Sequence, residues 1–200
     1  MRTSGVLMPI SSLPSQYGIG TMGKEARRFV DFLEKGGQTY WQILPICPTS
    51  YGDSPYQSFS SFAGNPYFID LELLCKDKLL TKKECESYKW GKKPQYVDYG
   101  IMYVNRYALL RKAYERFSKK TPADYEAFCS KEAEWLDEYT LFMALKDANG
   151  GVASFNAIKS GMMLSSLENL RLWKKQRRSM QMILPSTRCS SISSSSSGLL

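Results

Sequence analysis

Two short apolar runs flanking one amphipathic repeat constrain this chain more than any other feature. Gly5-Val-Leu-Met-Pro-Ile10 reads as a short buried strand. Ala26, Phe29, Val30 and Leu33 then recur at i, i+3, i+4 and i+7, one apolar face of a helix that Gly36-Gly37 stops. Tyr40-Trp-Gln-Ile-Leu-Pro-Ile46 reads as a second apolar strand. Strand, helix, strand within about 40 residues is a βαβ unit, which implies a parallel pair and a right-handed crossover. The loop from Pro45 to Pro66 is long against the usual range of about 2 to 6 residues for such connections, so it is expected to carry function.

Beyond that loop the grammar turns helical. Tyr67 to Leu71 reads as a short strand, and Thr81-Lys-Lys-Glu84 offers a T-x-x-E capping box for a small helix. Tyr103, Tyr107, Leu110, Tyr114 and Phe117 fall on one stripe of a longer helix, a pattern that predicts its core face. Thr121-Pro122-Ala-Asp124 supplies an N-cap, a proline at the first helical position and an early acid for a third helix. Trp135, Leu136, Tyr139, Phe142 and Met143 form the expected core face of a fourth, ending at Asn149-Gly150-Gly151. From Ser154 to Leu200 there are 13 serines, five of them consecutive, together with basic runs and little periodicity. Such a segment buries too little apolar surface to offset its ordering entropy, and disorder is expected there. The predicted organisation is residues 1–71 around the βαβ unit, residues 72–153 as a helical insertion, and residues 154–200 as a serine-rich basic tail.

Composition excludes whole classes of chemistry. The 200 residues contain no histidine, which removes Ser-His-Asp and Cys-His arrangements and every histidine-bearing zinc site. Cys47, Cys75, Cys85, Cys129 and Cys189 are scattered, odd in number and without a C-x-x-C pair, so neither a disulfide framework nor a zinc knuckle is indicated and no metal is expected. A reducing compartment fits. No run approaches the roughly 18 apolar residues of a membrane span, and the stretch Val6 to Ile10 with its Pro9 is unlike a secretory signal. A cytoplasmic protein without membrane contact is expected. The net charge of +8 is uneven: from Val152 onward seven basic residues face one acid, Glu168. The cluster Arg171-Leu-Trp-Lys-Lys-Gln-Arg-Arg178 is the feature a basic nucleic-acid-binding protein would use, with Trp173 stacking among cations. A lone basic run is equally a solvated segment, and nucleic acid is not the expected partner.

Gly18-Ile-Gly20-Thr-Met-Gly23 matches the G-x-G-x-x-G pattern of a dinucleotide site. Its context argues otherwise, because the first glycine lies well past the strand and the next strand ends without an acid for a ribose hydroxyl. A glycine-rich turn is expected. The loop Pro48-Thr-Ser-Tyr-Gly-Asp-Ser-Pro-Tyr-Gln-Ser-Phe-Ser-Ser-Phe-Ala-Gly-Asn-Pro66 says more. It holds no lysine or arginine, so phosphate is a poor ligand. It interleaves aromatic rings with short carboxylate, amide and hydroxyl groups, a mixture that suits the C–H faces and hydroxyl edges of a sugar. The plain structural alternative is that Phe59 and Phe62 are buried while Asp53 and Asn65 cap turns. A retaining glycoside mechanism needs two carboxyls about 5 to 5.5 Å apart, and Asp53 is the only loop carboxylate at a strand end.

Three stretches of this sequence resemble the 4-alpha-glucanotransferase family, also called amylomaltase or disproportionating enzyme, glycoside hydrolase family 77. They are Arg2-Thr-Ser-Gly-Val-Leu-Met-Pro-Ile-Ser-Ser-Leu-Pro-Ser-Gln-Tyr-Gly-Ile-Gly20, then Gln38-Thr-Tyr-Trp-Gln-Ile-Leu-Pro45, then Tyr51-Gly-Asp-Ser-Pro-Tyr-Gln-Ser-Phe59 through Ala63-Gly-Asn-Pro66. The resemblance continues through Tyr96-Val-Asp-Tyr99 to Leu141-Phe-Met-Ala-Leu-Lys-Asp147 and is expected to end near residue 155. It implies an α/β fold, a (β/α)8 TIM barrel of which this chain holds the first strands only, with a mostly helical subdomain inserted after the second strand. It also implies cytoplasmic, retaining transfer of α-1,4-glucan or maltodextrin segments to a glucose or maltodextrin acceptor, with no metal, nucleotide or other cofactor. Carried over, Ser54 and Tyr56 would contact sugar near the scissile bond, Asp53 would organise the loop, and Tyr51 would join an outer glucan platform, with Tyr99 a further candidate for it. The family's nucleophile, acid/base and stabilising carboxylates come from later strands, so no residue here is expected to be catalytic. The resemblance thus implies an N-terminal fragment without activity of its own, with a frameshift near Ser154 to Lys159 replacing the continuation. A non-catalytic glucan-binding fragment is the alternative.

Overall fold

The structure is a computed structural model that describes residues 2–119 and 121–148. They form two compact units divided between Lys120 and Thr121. The tail from residue 154, with its basic cluster, and the Asn149-Gly150-Gly151 stop lie outside the described residues.

The first unit opens with the expected βαβ pattern: β1 (Gly5–Leu7), α1 (Lys24–Lys35) and β2 (Tyr40–Gln42). The strands pair in parallel with Val6 opposite Trp41, as a strand-helix-strand crossover dictates. The Trp41 indole fastens the unit, donating Nε1–H to the Met8 carbonyl at 2.8 Å while its ring meets Phe29 of α1 edge-on at 5.0 Å. Both strands are shorter than their apolar runs. Pro9 has no N–H to continue the ladder, and Ile10–Ser12 instead forms a 3-10 turn that buries Ile10 against Leu13 and Ala26. The expectation of buried strands holds only in part. Leu7, Tyr40, Ile43 and Ile46 are exposed, and on α1 Ala26 and Leu33 are buried while Val30 is exposed.

The run Tyr67 to Leu71 is not a strand. Asn65 accepts the Tyr67 N–H through its side chain at 2.9 Å, and Pro66 opens a 3-10 turn over Pro66–Phe68. Asp70 then accepts the Leu73 N–H at 2.9 Å and starts α2 (Leu71–Lys76). Two side-chain caps close together thus convert an apolar run into a turn and a helix start. The Thr81–Glu84 capping box forms as its spacing predicts and opens α3 (Lys82–Glu86).

In α4 (Tyr99–Phe117) the buried face is Met102, Arg106, Leu109, Leu110 and Ala113. It is rotated from the expected tyrosine stripe, and Tyr103 is exposed. Aromatic spacing misplaced the face because tyrosines, with an apolar ring and a polar tip, also suit a half-wet surface. Arg106 is buried instead.

In the second unit, α5 (Ala123–Lys131) takes Pro122 as its N-cap, one position before the helix, rather than Thr121. In α6 (Ala133–Ala148) Leu136 and Tyr139 are buried as expected, joined by Thr140 and Ala144. The chain is α/β in class. No helix among the described residues is long and apolar enough to cross a membrane.

Candidate functional site

The long loop leaves the C-terminal end of β2 and returns where the Asn65 N–H donates to the Ile46 carbonyl at 2.8 Å. Inside it two successive turns form. Asp53 N–H donates to Ser50 O at 3.1 Å and Gln57 N–H to Ser54 O at 3.1 Å, and a 3.0 Å bond from Ser50 N–H to Gln57 O closes both into one knob. Gly52 stands third in the first turn at φ +92°, the left-handed value for which glycine is the default. Asp53 follows at φ +54°, a region that aspartate and asparagine enter more readily than other residues. Pro55 presets the second turn. The serines downstream hold the chain rather than face a ligand. Ser58 Oγ donates to Ser60 O at 2.7 Å, and Ser60 Oγ accepts the Phe62 and Ala63 N–H groups.

Between this knob, the turn after β1 and the start of α4 lies a recess of about 90 Å³, with Thr49, Asp53, Asn65, Tyr67 and Tyr99 around it and Ile10 in its wall. It is smaller than the roughly 300 to 1,000 Å³ pockets that engulf a ligand, so these residues form part of a wall or floor rather than a closed site. Among the described residues no lysine or arginine lines it. Burial holds the Asp53 carboxyl above the usual carboxylate range, against a hydrogen bond from Thr49 that pulls it down. Burial and then the Asp53 charge raise the Tyr99 phenol. The Tyr67 phenol is raised by burial, Tyr107 and Asp53 in that order. Both phenols are therefore protonated at neutral pH, with their ring centroids 6.0 Å apart.

Of the five residues singled out from the sequence, the structure brings Asp53 and Tyr99 to the recess. Ser54 is half-buried in the knob, its Oγ accepting the Tyr56 N–H at 3.4 Å. Tyr51 and Tyr56 point outward, 99% and 74% exposed. Phe62 is exposed, so the reading that buries both loop phenylalanines fails for it, whereas Asn65 does cap a turn. Sequence reasoning missed Tyr67, Thr49 and the lining role of Asn65. The Asn65-Pro66 pair was the available signal for Tyr67, since it marks a turn that fixes the next side chain. Asp53 is the one carboxylate lining the recess among the described residues. A retaining double displacement needs two about 5 to 5.5 Å apart.

The glycine pattern at Gly18 to Gly23 is a packing device, as its context implied. A Cβ on Gly20 would fall on the Ile10 carbonyl oxygen and against Leu13, and Gly20 N–H donates to Ser11 O at 3.1 Å. Gly20 thus lets the loop lie against the turn after β1, while a Cβ on Gly18 would meet the Trp90 carbonyl and one on Gly23 the Asp70 carboxylate.

Comparison with known proteins agrees with this arrangement. The sequence profile of glycoside hydrolase family 77, described as 4-alpha-glucanotransferase, matches residues 8–184, continuing past the point near 155 where the resemblance was expected to end. A 4-alpha-glucanotransferase of Clostridium butyricum is 48% identical over 169 residues, which are 84% of this chain and 34% of the relative. One from Thermus thermophilus is 47% identical over 155 residues, 76% of this chain and 30% of that one. The solved amylomaltase of Streptococcus agalactiae in complex with acarbose superposes with a TM-score of 0.81 at 36% identity, over 92% of this chain and 38% of that chain. The chain thus spans about a third of the length of the curated relatives it matches. A βαβ start, an aromatic and acidic recess at the end of its second strand, and a profile match over most of the sequence make this chain a member of the 4-alpha-glucanotransferase family.

Proposed function

We propose that this chain supplies sugar-binding side chains for a 4-alpha-glucanotransferase, an enzyme that moves a segment of α-1,4-glucan or maltodextrin to a glucose or maltodextrin acceptor with retention. The observation that carries the reading is the recess itself, where the half-buried Tyr99 stands beside the Asp53 carboxyl over a floor made by the buried Tyr67, with no cation lining it among the described residues. A glucosyl unit presents the matching surface, an apolar ring face with hydroxyls on its edge that donate and accept. Anionic ligands are disfavoured there, because the one charge lining the recess is negative.

In this reading β1 and β2 are the first strands of a (β/α)8 barrel. The recess at the end of β2 then lies on the face where such barrels place their ligands. Asp53 organises the knob, Ser54 and Tyr56 meet sugar near the bond that is cleaved, and Tyr51 and Tyr99 support glucan further out. The group transferred and the attacking acceptor need neither metal nor nucleotide, and a cytoplasmic site of action fits the reading. With one carboxylate lining the recess among the described residues, the recess binds glucan without transferring it.

The test is incubation of the purified chain with maltotriose and chromatography of the products, alongside calorimetric titration with maltoheptaose. Binding without new maltodextrins or glucose is the expected result. Absence of binding would remove the glucan reading, and appearance of products would remove the claim that the chain does not turn glucan over.

A further inference from the structure

We propose that Arg106 is a positioning residue for the glucan recess, holding the turn that presents Tyr67 by giving one guanidinium nitrogen to two carbonyls of that turn. Arg106 is the largest fully buried side chain among the described residues. Its Nη2 donates to the Tyr67 carbonyl at 2.9 Å and also to the Ile69 carbonyl. Its Cζ lies 6.0 Å from the centre of the Trp90 ring, which covers part of the cation. Nε and Nη1 have no hydrogen-bond partner among the described residues.

A buried cation with idle donors is unfavourable on its own account, since each unpaired group forfeits its hydration. Simple stability does not explain it. What it holds does. The Pro66–Phe68 turn has Asn65 capping it from one side, and Arg106 takes the carbonyls on the other. Between them the backbone of Tyr67 is fixed, and with it the buried ring that packs on Tyr99 and Tyr107 beneath the recess. Tyr99 begins the same helix that carries Arg106, two turns earlier. One rigid element therefore sets both tyrosines of the recess.

The geometry distinguishes between substitutions. Arg106→Lys keeps the charge, but its shorter chain stops short of the Nη2 position and gives up the flat face against Trp90, so the bonds to both carbonyls weaken. Arg106→Met fills similar space and loses both bonds.

The inference rests on the glucan reading of the recess, so two measurements are paired. The first is maltoheptaose affinity of the full chain by calorimetry. The second, free of ligand, is hydrogen exchange at the Phe68 and Ile69 amides, which bond to Asn65 O and Pro66 O within the turn. In Arg106→Met, with the far-UV circular dichroism of the parent, affinity is expected to fall and turn exchange to rise by about tenfold or more, the effect of losing a buried charged hydrogen bond. Arg106→Lys is expected to be impaired in both, by about threefold or more. Equal affinity and exchange in parent and Arg106→Met overturns the proposal. If Arg106→Met fails to fold, Arg106→Lys decides, and parental exchange at Phe68 and Ile69 in that variant overturns the proposal. If the parent itself does not bind maltoheptaose, the glucan reading fails, and turn exchange alone then decides whether Arg106 holds the turn.

Discussion

Asp53 and Tyr99 share one recess although the first belongs to the loop after β2 and the second begins α4, and burial, with the Asp53 charge adding to it, lifts the phenol above its ordinary range. Asp53 is itself raised, chiefly by burial. The folded chain therefore holds that proton more tightly than the unfolded chain does. This contribution favours folding below the unfolded value of about 3.9 and is lost as pH rises through the folded, higher value.

Replacing Asp53 by asparagine removes the buried charge yet keeps a side chain that tolerates φ +54°. Asp53→Asn is expected to flatten the stability curve above the unfolded aspartate value of about 3.9, and to be at least as stable as the parent at neutral pH. Asp53→Ala should be less stable than Asp53→Asn by about 1 to 2 kcal/mol, the cost of a left-handed conformation without a local hydrogen-bonding side chain. Thermal melts across pH measure both. An alanine variant equal to the asparagine variant contradicts the argument.

Glu84 titrates in the opposite sense. Hydrogen bonds from Arg116 and Thr81 bring its carboxyl down to about 2, through a two-pronged contact with Arg116 at 2.6 and 2.8 Å. Its stabilisation is fully present above the unfolded glutamate value of about 4.3 and is lost as pH falls toward 2. Glu84→Gln should unfold at a higher pH endpoint than expected for a surface change and show a shallower acid transition in this window. Circular dichroism during acid titration decides it, and coincident curves for parent and variant would count against the contact.

Gly20 is predicted to be intolerant of any side chain. Its Cβ would meet backbone, the Ile10 carbonyl and Leu13 N, which cannot swing aside as a long side chain can. Gly20→Ala is expected to cost about 3 kcal/mol, the upper end for overpacking a tight site. Urea titration measures the loss, and a midpoint unchanged from the parent would contradict the close approach.

The parts of this molecule legible in sequence are those whose determinants sit within a few residues of one another. The Thr81–Glu84 box and the face of α1 at Ala26 and Leu33 are local patterns, and they form. The loop after β2 is visible as a long break between apolar runs, but the two turns built on Gly52, Asp53 and Pro55 are legible only as far as a turn cap at Asp53. Tyr67 was hidden because a short apolar run has no period to separate strand from turn, and two caps from Asn65 and Asp70 decide the matter. Arg106 was hidden more deeply. Its burial depends on carbonyls 37 and 39 positions away, and no local pattern marks a cation as interior. The exposed Val30 and Leu7 show the same limit from the other side, since apolar spacing says which face can be buried and not what covers it.

Tyr51 separates ligand binding from folding most cleanly. At 99% exposure it has almost no packing to lose, so Tyr51→Ala should leave unfolding within about 0.5 kcal/mol of the parent. If its ring carries glucan, the same change removes a flat apolar face worth about 0.5 to 1.5 kcal/mol, or about 2- to 12-fold in affinity. Tyr51→Phe keeps the face and should bind nearly as the parent does. Electrophoresis through a gel containing soluble starch reads these differences directly, since a chain that binds glucan is retarded. Retardation unchanged in Tyr51→Ala would take Tyr51 out of the glucan platform. Loss in both variants would mean that the phenol, not the ring, makes the contact.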